Sequence, residues 1–492
     1  MNKSLSDFAA NVKDKKVAVL GIAVSNTPLI EFLSKYGAKV TAFDRSEAGA
    51  LAERLERLKP YNIEYRLGPG YLSALKGFEV IFRTPIIRPD IPEIMDERGR
   101  GAVITSEMEL FLNLCPATVF GVTGSDGKTT TTTLIYEILK QNGYSCRLGG
   151  NIGKPLLPDI ESISPADMVV AELSSFQLFE MKKSADVAVV TNLSPNHLNV
   201  HKSYGEYINA KKNIFLHQHT DGLTVLNFDD GQTRTLSAEV PGRLAFFSAS
   251  EDGAAALLNY AAENQFAYGK FSAAAYICGG KIMYREFAGD NADIASESKT
   301  VEIINVSDIN IPGRHNLENV LAAVCAVGGY VSRGAAETAI GGFGGVEHRI
   351  EYVRTLDGVK YYNDSAASSP TRTAACLKAF DKQVILIAGG SDKNLDYAPL
   401  GEYLAKRVKL LILCGQTSAA IKLSLSDYCE KHAIQCPTRI IECDNYDDAV
   451  TSARNYAKAN DAVILSPASA SFDRFRNFEE RGRVFKKLVN NL

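Results

Sequence analysis

Between Thr118 and Leu139 the chain runs through a short apolar stretch, a glycine-bearing turn and a helix-like segment without a break. The apolar stretch Thr118-Val119-Phe120-Gly121-Val122 reads as a buried strand. Thr123-Gly124-Ser125-Asp126-Gly127 reads as the turn, and Lys128-Thr129-Thr130 opens the helix. This order constrains the fold more than any other feature, because strand, glycine turn, Lys-Thr and helix together build a cradle for nucleotide phosphates. Backbone N–H groups wrap a polyphosphate only where side chains leave room, which is the use of Gly124 and Gly127. The helix N-terminus adds the positive end of its dipole. Lys128 reaches the outer phosphates, and the Thr129 hydroxyl is placed for Mg²⁺. Val122 stands where the longer form of the motif has its first glycine, so the loop is the shorter Thr-Gly-x-x-Gly-Lys-Thr form. The alternative reading is a glycine turn beside a chance lysine.

A chain of 492 residues exceeds one hydrophobic core and calls for two to four domains. Apolar content of 46% and charged content of 23% are those of a soluble globular protein. A net charge of −3 offers no general attraction to nucleic acid or to a membrane surface. No stretch has the apolar length of a membrane span, and Met1 to Lys16 is too polar for a signal peptide. The nine cysteines are scattered without a C-x-x-C pair, as expected of reduced thiols in a cytoplasmic protein, several of them core residues.

The rest of the chain repeats one grammar. Val17-Ala18-Val19-Leu20-Gly21, a helical pattern to Tyr36 and Val40-Thr41-Ala42-Phe43-Asp44 make a βαβ unit, with Glu79–Pro85 as a further strand stopped by proline. Asp44 ends its strand where dinucleotide folds place a ribose-binding acid. Gly21 is the one fingerprint glycine present, which leaves NAD weakly supported and a nucleotide sugar, or no ligand, as alternatives. A second unit begins near Glu107. Its strand Asp167–Ser175 ends in Glu172, where P-loop enzymes keep an acid for Mg²⁺. Val187–Asn192 leads to His197, which on its own residues reads as a hydrogen-bonded loop histidine. Alternating strands and helices argue for an α/β fold with doubly wound parallel sheets and ligands at the strands' carboxyl ends.

From Ser250 to Glu302 alanine, glycine and charge blur the pattern, and a surface excursion with a hairpin near Tyr276–Tyr284 is expected. Pro312-Gly313-Arg314-His315-Asn316-Leu317-Glu318-Asn319 opens a helix, and Gly341–Gly345 reads as a flexible hinge. A third unit follows, with strands at Val359–Tyr362, Val384–Ala388, Leu410–Leu413 and Ala462–Leu465. The expected division is residues 1–106, 107–345 and 346–492.

With these segments in view the chain resembles the Mur ligases, ATP-dependent amide-forming enzymes of peptidoglycan synthesis, and most of all their D-glutamate-adding branch. The likeness covers nearly the whole length. It is carried by Val17–Pro28, Gly121–Thr130, Gly150-Asn151-Ile152-Gly153, Glu172–Leu178, Ala210–Phe215, Gly313–Asn319, Glu347-His348-Arg349, Ser466–Asp473 and Asn477–Gly482. The last two are the most branch-specific; the phosphate loop is shared with folylpolyglutamate synthases.

The resemblance implies three domains: a Rossmann-like UDP-binding one, a P-loop ATPase-like one and a Rossmann-like one for the amino acid. It implies a monomer using ATP and Mg²⁺ on UDP-N-acetylmuramoyl-L-alanine and D-glutamate, with no nucleic-acid or membrane partner. Lys128, Glu172, His197 and Lys211 become the catalytic set, with Thr129, Glu172, His197 and a carbamylated Lys211 around metal. ATP would meet Gly124, Ser125, Asp126, Gly127, Lys128, Thr129, Thr130, Asn316, Asn319, Arg349 and Asp364. The UDP substrate would meet Gly21, Val24, Ser25, Asp44, Asn151, Ser174, Gln177 and His197. D-glutamate would meet Ser368, Lys393, Ser471, Phe472 and Phe478. Read without the resemblance, Lys211 is a solvated helix lysine and Phe478 is as well explained as a core aromatic. The chain departs from the family at Asp126, usually Asn, at Asn199, often Asp, and at Ala366, usually a lysine near the incoming amino acid; Lys393 is then the main cation for that substrate. Folylpolyglutamate synthase is the neighbouring alternative, against which the βαβ unit at Val17–Asp44 argues. A P-loop switch or an NAD-dependent oxidoreductase is the alternative of another class.

Overall fold

The computed structural model describes residues 3–197, 200–263, 270–287 and 298–492. These hold three sheets. The first is fully parallel, in the order β3-β2-β1-β4-β5. Its strands are β1 (Lys16–Leu20), β2 (Lys39–Asp44), β3 (Glu64–Leu67), β4 (Val80–Arg83) and β5 (Val103–Thr105). β1 and β2 are near-continuous apolar runs because helices cover both faces of such a sheet.

The second sheet has the order β14-β13-β12-β11-β10-β9-β6-β8-β7. It contains β6 (Thr118–Thr123), β7 (Cys146–Gly150), β8 (Met168–Glu172), β9 (Val187–Val190), β10 (Leu223–Asn227), β11 (Arg243–Ser248), β12 (Phe271–Cys278), β13 (Lys281–Phe287) and β14 (Ser298–Asn305). The run from β7 to β12 is parallel, and β13 and β14 close the edge antiparallel. The chain passes from β6 to β7 and β8 on one side and then to β9 on the other, so the turn after β6 opens into the crevice where ligands of such sheets bind. The register sets Val122 of β6 beside Glu172 of β8. The described strands between residues 250 and 302 are therefore not a surface excursion. The expected hairpin is present as β12–β13, but it extends the main sheet and buries Phe271, Ala273, Ala274, Ala275 and Tyr284. Alanine on the inward face, rather than branched residues, hid this strand pattern.

The third sheet has the order β15-β16-β20-β17-β18-β19, parallel except for the edge strand β15. Its members are β15 (Glu351–Leu356), β16 (Val359–Asn363), β17 (Val384–Ala388), β18 (Val408–Leu413), β19 (Arg439–Glu442) and β20 (Ala462–Leu465). The two edge strands β15 and β19 escape the sequence reading because polar residues interrupt them.

The chain forms two compact units, residues 1–305 with 318–340, and residues 306–317 with 341–492. The first two sheets lie in the first unit and share one core, from Val17 and Phe111 through Phe215 to Phe246. The break falls at Ile340/Gly341, at the start of the glycine run expected to be a hinge. Gly341 and Gly342 belong to the helix Arg333–Gly342, so only the run's second half leaves regular structure. No helix among the described residues is long and apolar enough to cross a membrane. Cys325, Cys376, Cys414 and Cys429 are buried, as core thiols should be.

Candidate active site

The turn after β6 has the geometry its sequence implies. Gly124 and Gly127 have φ of +147° and +79°, and the helix Lys128–Gln141 starts directly after them. A Cβ on Gly124 would stand 1.9 Å from Thr191 Oγ1, and one on Gly127 would stand 2.2 Å from Asn319 Oδ1. Both places therefore exclude any side chain. Lys128 Nζ donates to the carbonyls of Gly124 and Ser125 at 3.0 and 2.9 Å, folding back over the loop it follows. Asn192, at the end of β9, fixes the loop's crest. Its carbonyl accepts from Ser125 N, its Oδ1 from Asp126 N, and its Nδ2 donates to Asp126 O. Ser125 Oγ bonds the Ser194 carbonyl at 3.0 Å and pairs with Tyr207 Oη at 2.8 Å. Asn192 and Tyr207 are supports that motif reading missed, since each lies tens of residues from the loop it holds. Thr130 follows on the first helical turn, partly exposed.

Glu172 is only 2% exposed. Its Oε2 accepts from Thr129 Oγ1 at 2.7 Å and its Oε1 from Asn151 Nδ2 at 2.8 Å. The Asn151 backbone N–H also donates to the Glu172 carbonyl, at 2.8 Å, tying the loop after β7 to the end of β8. Asn319 is buried and accepts from Thr131 Oγ1 at 3.2 Å.

Lys211 is not a solvated lysine. It is 2% exposed, donates to Thr123 Oγ1 at 3.1 Å and Gly124 O at 2.7 Å, and lies 4.8 Å from the centre of the Tyr207 ring. Burial first, and the nearby Lys128 charge second, push its pKa well below that of an ordinary lysine. Its neighbour Lys212 reaches outward to Glu239 at 2.5 Å. His197 has a left-handed φ of +55° and sets its ring edge-on to Phe176, 5.0 Å away. Desolvation, then Lys128 and Lys211, lower its pKa, which keeps the imidazole neutral at neutral pH. Its side chain is exposed in the loop after β9, and its backbone N–H donates to Asn196 Oδ1 at 2.8 Å.

Ser174 and Gln177 are engaged with each other. Ser174 Oγ accepts from Gln177 N, while Gln177 Oε1 accepts from Ser174 N and Oγ, a capping box on the short helix Ser175–Leu178. At the first sheet, Gly21, Val24 and Ser25 form the turn after β1. Val24 is 68% exposed there. Asp44 Oδ2 accepts from Ile22 N at 2.7 Å and its Oδ1 from Ser46 N at 2.8 Å.

In the second unit the loops after β16, β17, β18 and β20 meet at the carboxyl edge of the third sheet. The loops after β17 and β20 are bridged between Ser391 and Ala470. Lys393 Nζ stands 5.0 Å over the exposed ring of Phe472, so two residues 79 positions apart in the chain share one surface. Ser471 is buried beside them, and Ser368 is half-buried. Phe478 is 37% exposed and sets its ring edge-on to His348 at 6.0 Å, so it is no core aromatic. Arg481 is fully buried and donates to the carbonyls of Ser365, Ser469 and Ala470, joining two of these loops. Asp364 lies inside this unit. It accepts from Ser466 Oγ at 2.7 Å and Ile350 N at 3.2 Å, and burial raises its pKa to about 6. Arg349 beside it is exposed. Asn316 Nδ2 donates to Pro312 O at 2.7 Å, closing the turn that opens its helix.

Comparison with known proteins gives this arrangement relatives. Residues 122–327 match the model of the Mur ligase middle domain, and residues 348–469 that of the Mur ligase glutamate ligase domain. The UDP-N-acetylmuramoylalanine--D-glutamate ligase of Acetivibrio thermocellus is 50% identical over 492 residues, covering 100% of both chains. The enzyme of that name from Clostridium acetobutylicum is 47% identical, again over 100% of both. Among solved structures, a UDP-N-acetylmuramoyl-L-alanyl-D-glutamate--2,6-diaminopimelate ligase superposes with a TM-score of 0.52 at 16% identity, over 93% of this chain and 87% of that one. The MurF ligase of Thermotoga maritima, solved with ADP, gives 0.50 at 18% identity over 100% of both. These structures speak for the fold; the end-to-end identity to the first two enzymes, together with both domain matches, makes this chain a member of the Mur ligase family.

Proposed function

We propose that this chain joins D-glutamate to UDP-N-acetylmuramoyl-L-alanine at the expense of ATP, through an acyl phosphate, in the cytoplasmic stage of peptidoglycan synthesis. The observation that carries the reading is the 50% identity, without gaps in coverage, to an enzyme of that name. Residues 1–106 hold the UDP substrate, 107–345 ATP and 346–492 the amino acid.

A carboxylate is a poor electrophile. Transfer of the γ-phosphoryl group to a carboxylate oxygen makes it a good one and releases ADP. The D-glutamate amine then attacks the carbonyl carbon, the C–O bond to phosphate breaks, and the amine's proton leaves. Phosphoryl transfer depends on positioning and charge neutralisation. Lys128 provides a point charge at the outer phosphates. The turn after β6 provides close backbone approach. Asn316, Asn319, Arg349 and Asp364 are the further residues assigned to ATP by resemblance. Gly21, Val24, Ser25 and Asp44 receive the uridine end of the other substrate, and Asn151, Ser174 and Gln177 its muramoyl part. Lys393, Ser368 and Ser471 face the amino acid's carboxylates, with Phe472 and Phe478 as walls.

The donor set fits Mg²⁺. Thr129 and Glu172 offer hydroxyl and carboxylate oxygens 2.7 Å apart, ligands of a hard cation. No group of three His, Cys, Asp or Glu among the described residues could hold a metal. When bound, Mg²⁺ spreads the negative charge that builds on the transferring phosphoryl group. Lys211 is suited to carbamylation, because a depressed pKa leaves a neutral amine for CO₂ and the product is an anion. Neutral His197 and that carbamate would hold a second ion.

The test is ADP release by the purified chain. Full release should require UDP-N-acetylmuramoyl-L-alanine and D-glutamate together, and L-glutamate should not replace the D-isomer. Release indifferent to the UDP substrate, or equal with amino acids lacking a second carboxylate, would contradict the assignment.

A further inference from the structure

Arg88 lies on the segment that leaves β4 at the carboxyl edge of the first sheet, outside every motif considered above. Its five N–H groups make five hydrogen bonds. Nε and Nη2 donate to Asp90 Oδ1 and Oδ2 at 2.8 and 3.0 Å. Nη2 and Nη1 donate to Glu206 Oε1 and Oε2 at 2.8 and 3.0 Å. Nη1 donates to the Val200 carbonyl at 2.6 Å. The guanidinium also lies 5.3 Å from the centre of the Phe179 ring. An isolated pair at about 21% side-chain exposure would contribute little. A guanidinium with every donor used, gripping two carboxylates in forked geometry, is instead a fixed joint.

What it grips matters more than how strongly. Val200 N and His201 N both donate to the His197 carbonyl at 3.0 Å, so the carbonyl that Arg88 holds belongs to the turn that carries His197. Glu206 lies in the first turn of the helix Tyr204–Lys212, whose last turn carries Lys211. Its Oε2 also accepts from Lys202 N at 2.8 Å, closing the entrance to that helix. Lys211 in turn bonds the Gly124 carbonyl of the phosphate loop. One side chain on the segment after β4 thus holds both segments that deliver His197 and Lys211. We infer that Arg88 is a positioning residue for the ligase reaction, through which the segment after β4 sets the His197 turn and the Lys211 helix against the phosphate loop. The inference rests on the catalytic roles given above to His197 and Lys211.

The test is a set of double-mutant cycles on the full chain. Steady-state kinetics and thermal melting are measured for Arg88→Ala and Arg88→Lys, alone and combined with His197→Ala or Lys211→Ala. Arg88→Ala should lower kcat roughly ten- to a hundredfold, the range a small misplacement of reacting groups produces, with the ATP KM within about threefold of wild type. Arg88→Lys should fail to restore kcat, since an ammonium has three donors and no fork. Removing Arg88 should then cost less than about threefold in at least one of the two variant backgrounds, because residues acting through one another are not additive. Lys202→Ala, which removes only the outer contact to Asp90, should stay within about twofold. If the folded Arg88→Ala enzyme keeps wild-type kcat and only melts earlier, or if its loss is undiminished in both backgrounds, the inference is overturned. If His197→Ala and Lys211→Ala themselves keep full kcat, the roles of those two residues fail first and the inference goes with them. If Arg88→Ala does not fold, Glu206→Gln takes its place in the cycles with the same outcomes.

Discussion

The turn after β1 and the turn after β6 occupy the same place in their sheets. Each leaves an inner strand, opens a helix and has an acid at the end of an adjacent strand. The acids are used differently. Asp44 is bonded by the backbone N–H groups of Ile22 and Ser46, so its charge holds the turn itself together. Glu172 is bonded by the side chains of Thr129 and Asn151, groups that a cation can join. The turn after β6 ends in Lys128 and Thr129, while the turn after β1 presents the exposed Val24. The crowding differs too. A Cβ at Gly127 would meet Asn319 Oδ1 at 2.2 Å, whereas one at Gly21 would meet the Thr84 methyl at 3.1 Å. The lesson is that doubly wound topology sets where a ligand lies. The loop residues decide what that place offers: a lysine and a hydroxyl after β6, an exposed valine after β1.

The contrast breaks most visibly at Lys128. Lys128→Ala should lower the rate of ADP release on the order of a hundred- to a thousandfold with an unchanged melting curve, as loss of a charge aimed at the transition state does. A variant turning over near the wild-type rate would make the turn after β6 no more a phosphate site than the one after β1. Next in size is a pair of glycine substitutions. Both positions have left-handed φ, so alanine costs each about 1–2 kcal/mol in strain. Gly127→Ala should in addition abolish ATP binding in a calorimetric titration, because Asn319 must move. Gly21→Ala should leave ATP binding intact. Equal losses at the two sites would mean that crowding does not distinguish the loops.

Asp44→Asn should raise the KM for the UDP substrate roughly tenfold, about the contribution of one charge-assisted hydrogen bond, and leave the ATP KM unchanged. A purely structural acid would instead lower the melting temperature without touching that KM. An effect on stability alone concerns Glu107, which opens the helix between the first two sheets. This carboxyl is 5% exposed, its Oε1 has no partner among the described residues, and burial raises its pKa to about 7. A raised carboxyl holds its proton in the folded state over a range where the unfolded chain has lost it. Stability should therefore fall as pH rises from about 4.5 to about 7, at up to about 1.4 kcal/mol per pH unit from this group. Glu107→Gln should remove that slope in denaturant melts, so that the variant gains on wild type as pH rises. Parallel slopes would show that the carboxyl is solvated.

What could be read from the sequence was whatever is local. The phosphate loop is one contiguous run, and Glu172 ends an unbroken apolar strand, so both were legible from neighbouring residues. The hairpin β12–β13 was legible near Tyr276–Tyr284, but its place in the main sheet was not, because alanine fills the middle of β12 where branched residues would mark a buried strand. The grip of Arg88 on Val200 and Glu206 was not, because these lie 112 and 118 residues away and no motif spans them. Lys211 was legible only through resemblance. Its helix looks polar, and its burial follows from packing against Thr123, Gly124 and Tyr207. The pairing of Lys393 with Phe472 likewise needed the third sheet to bring the loops after β17 and β20 together.

In the proposed reaction the carboxylate of the UDP substrate is phosphorylated before the amide forms. UDP-N-acetylmuramoyl-L-alanine labelled with ¹⁸O in its alanine carboxylate, turned over with ATP and D-glutamate, tests it most directly. Each inorganic phosphate released should carry one oxygen from that carboxylate, seen as the isotope shift of its ³¹P resonance. Phosphate free of label, with amide formed, would contradict it.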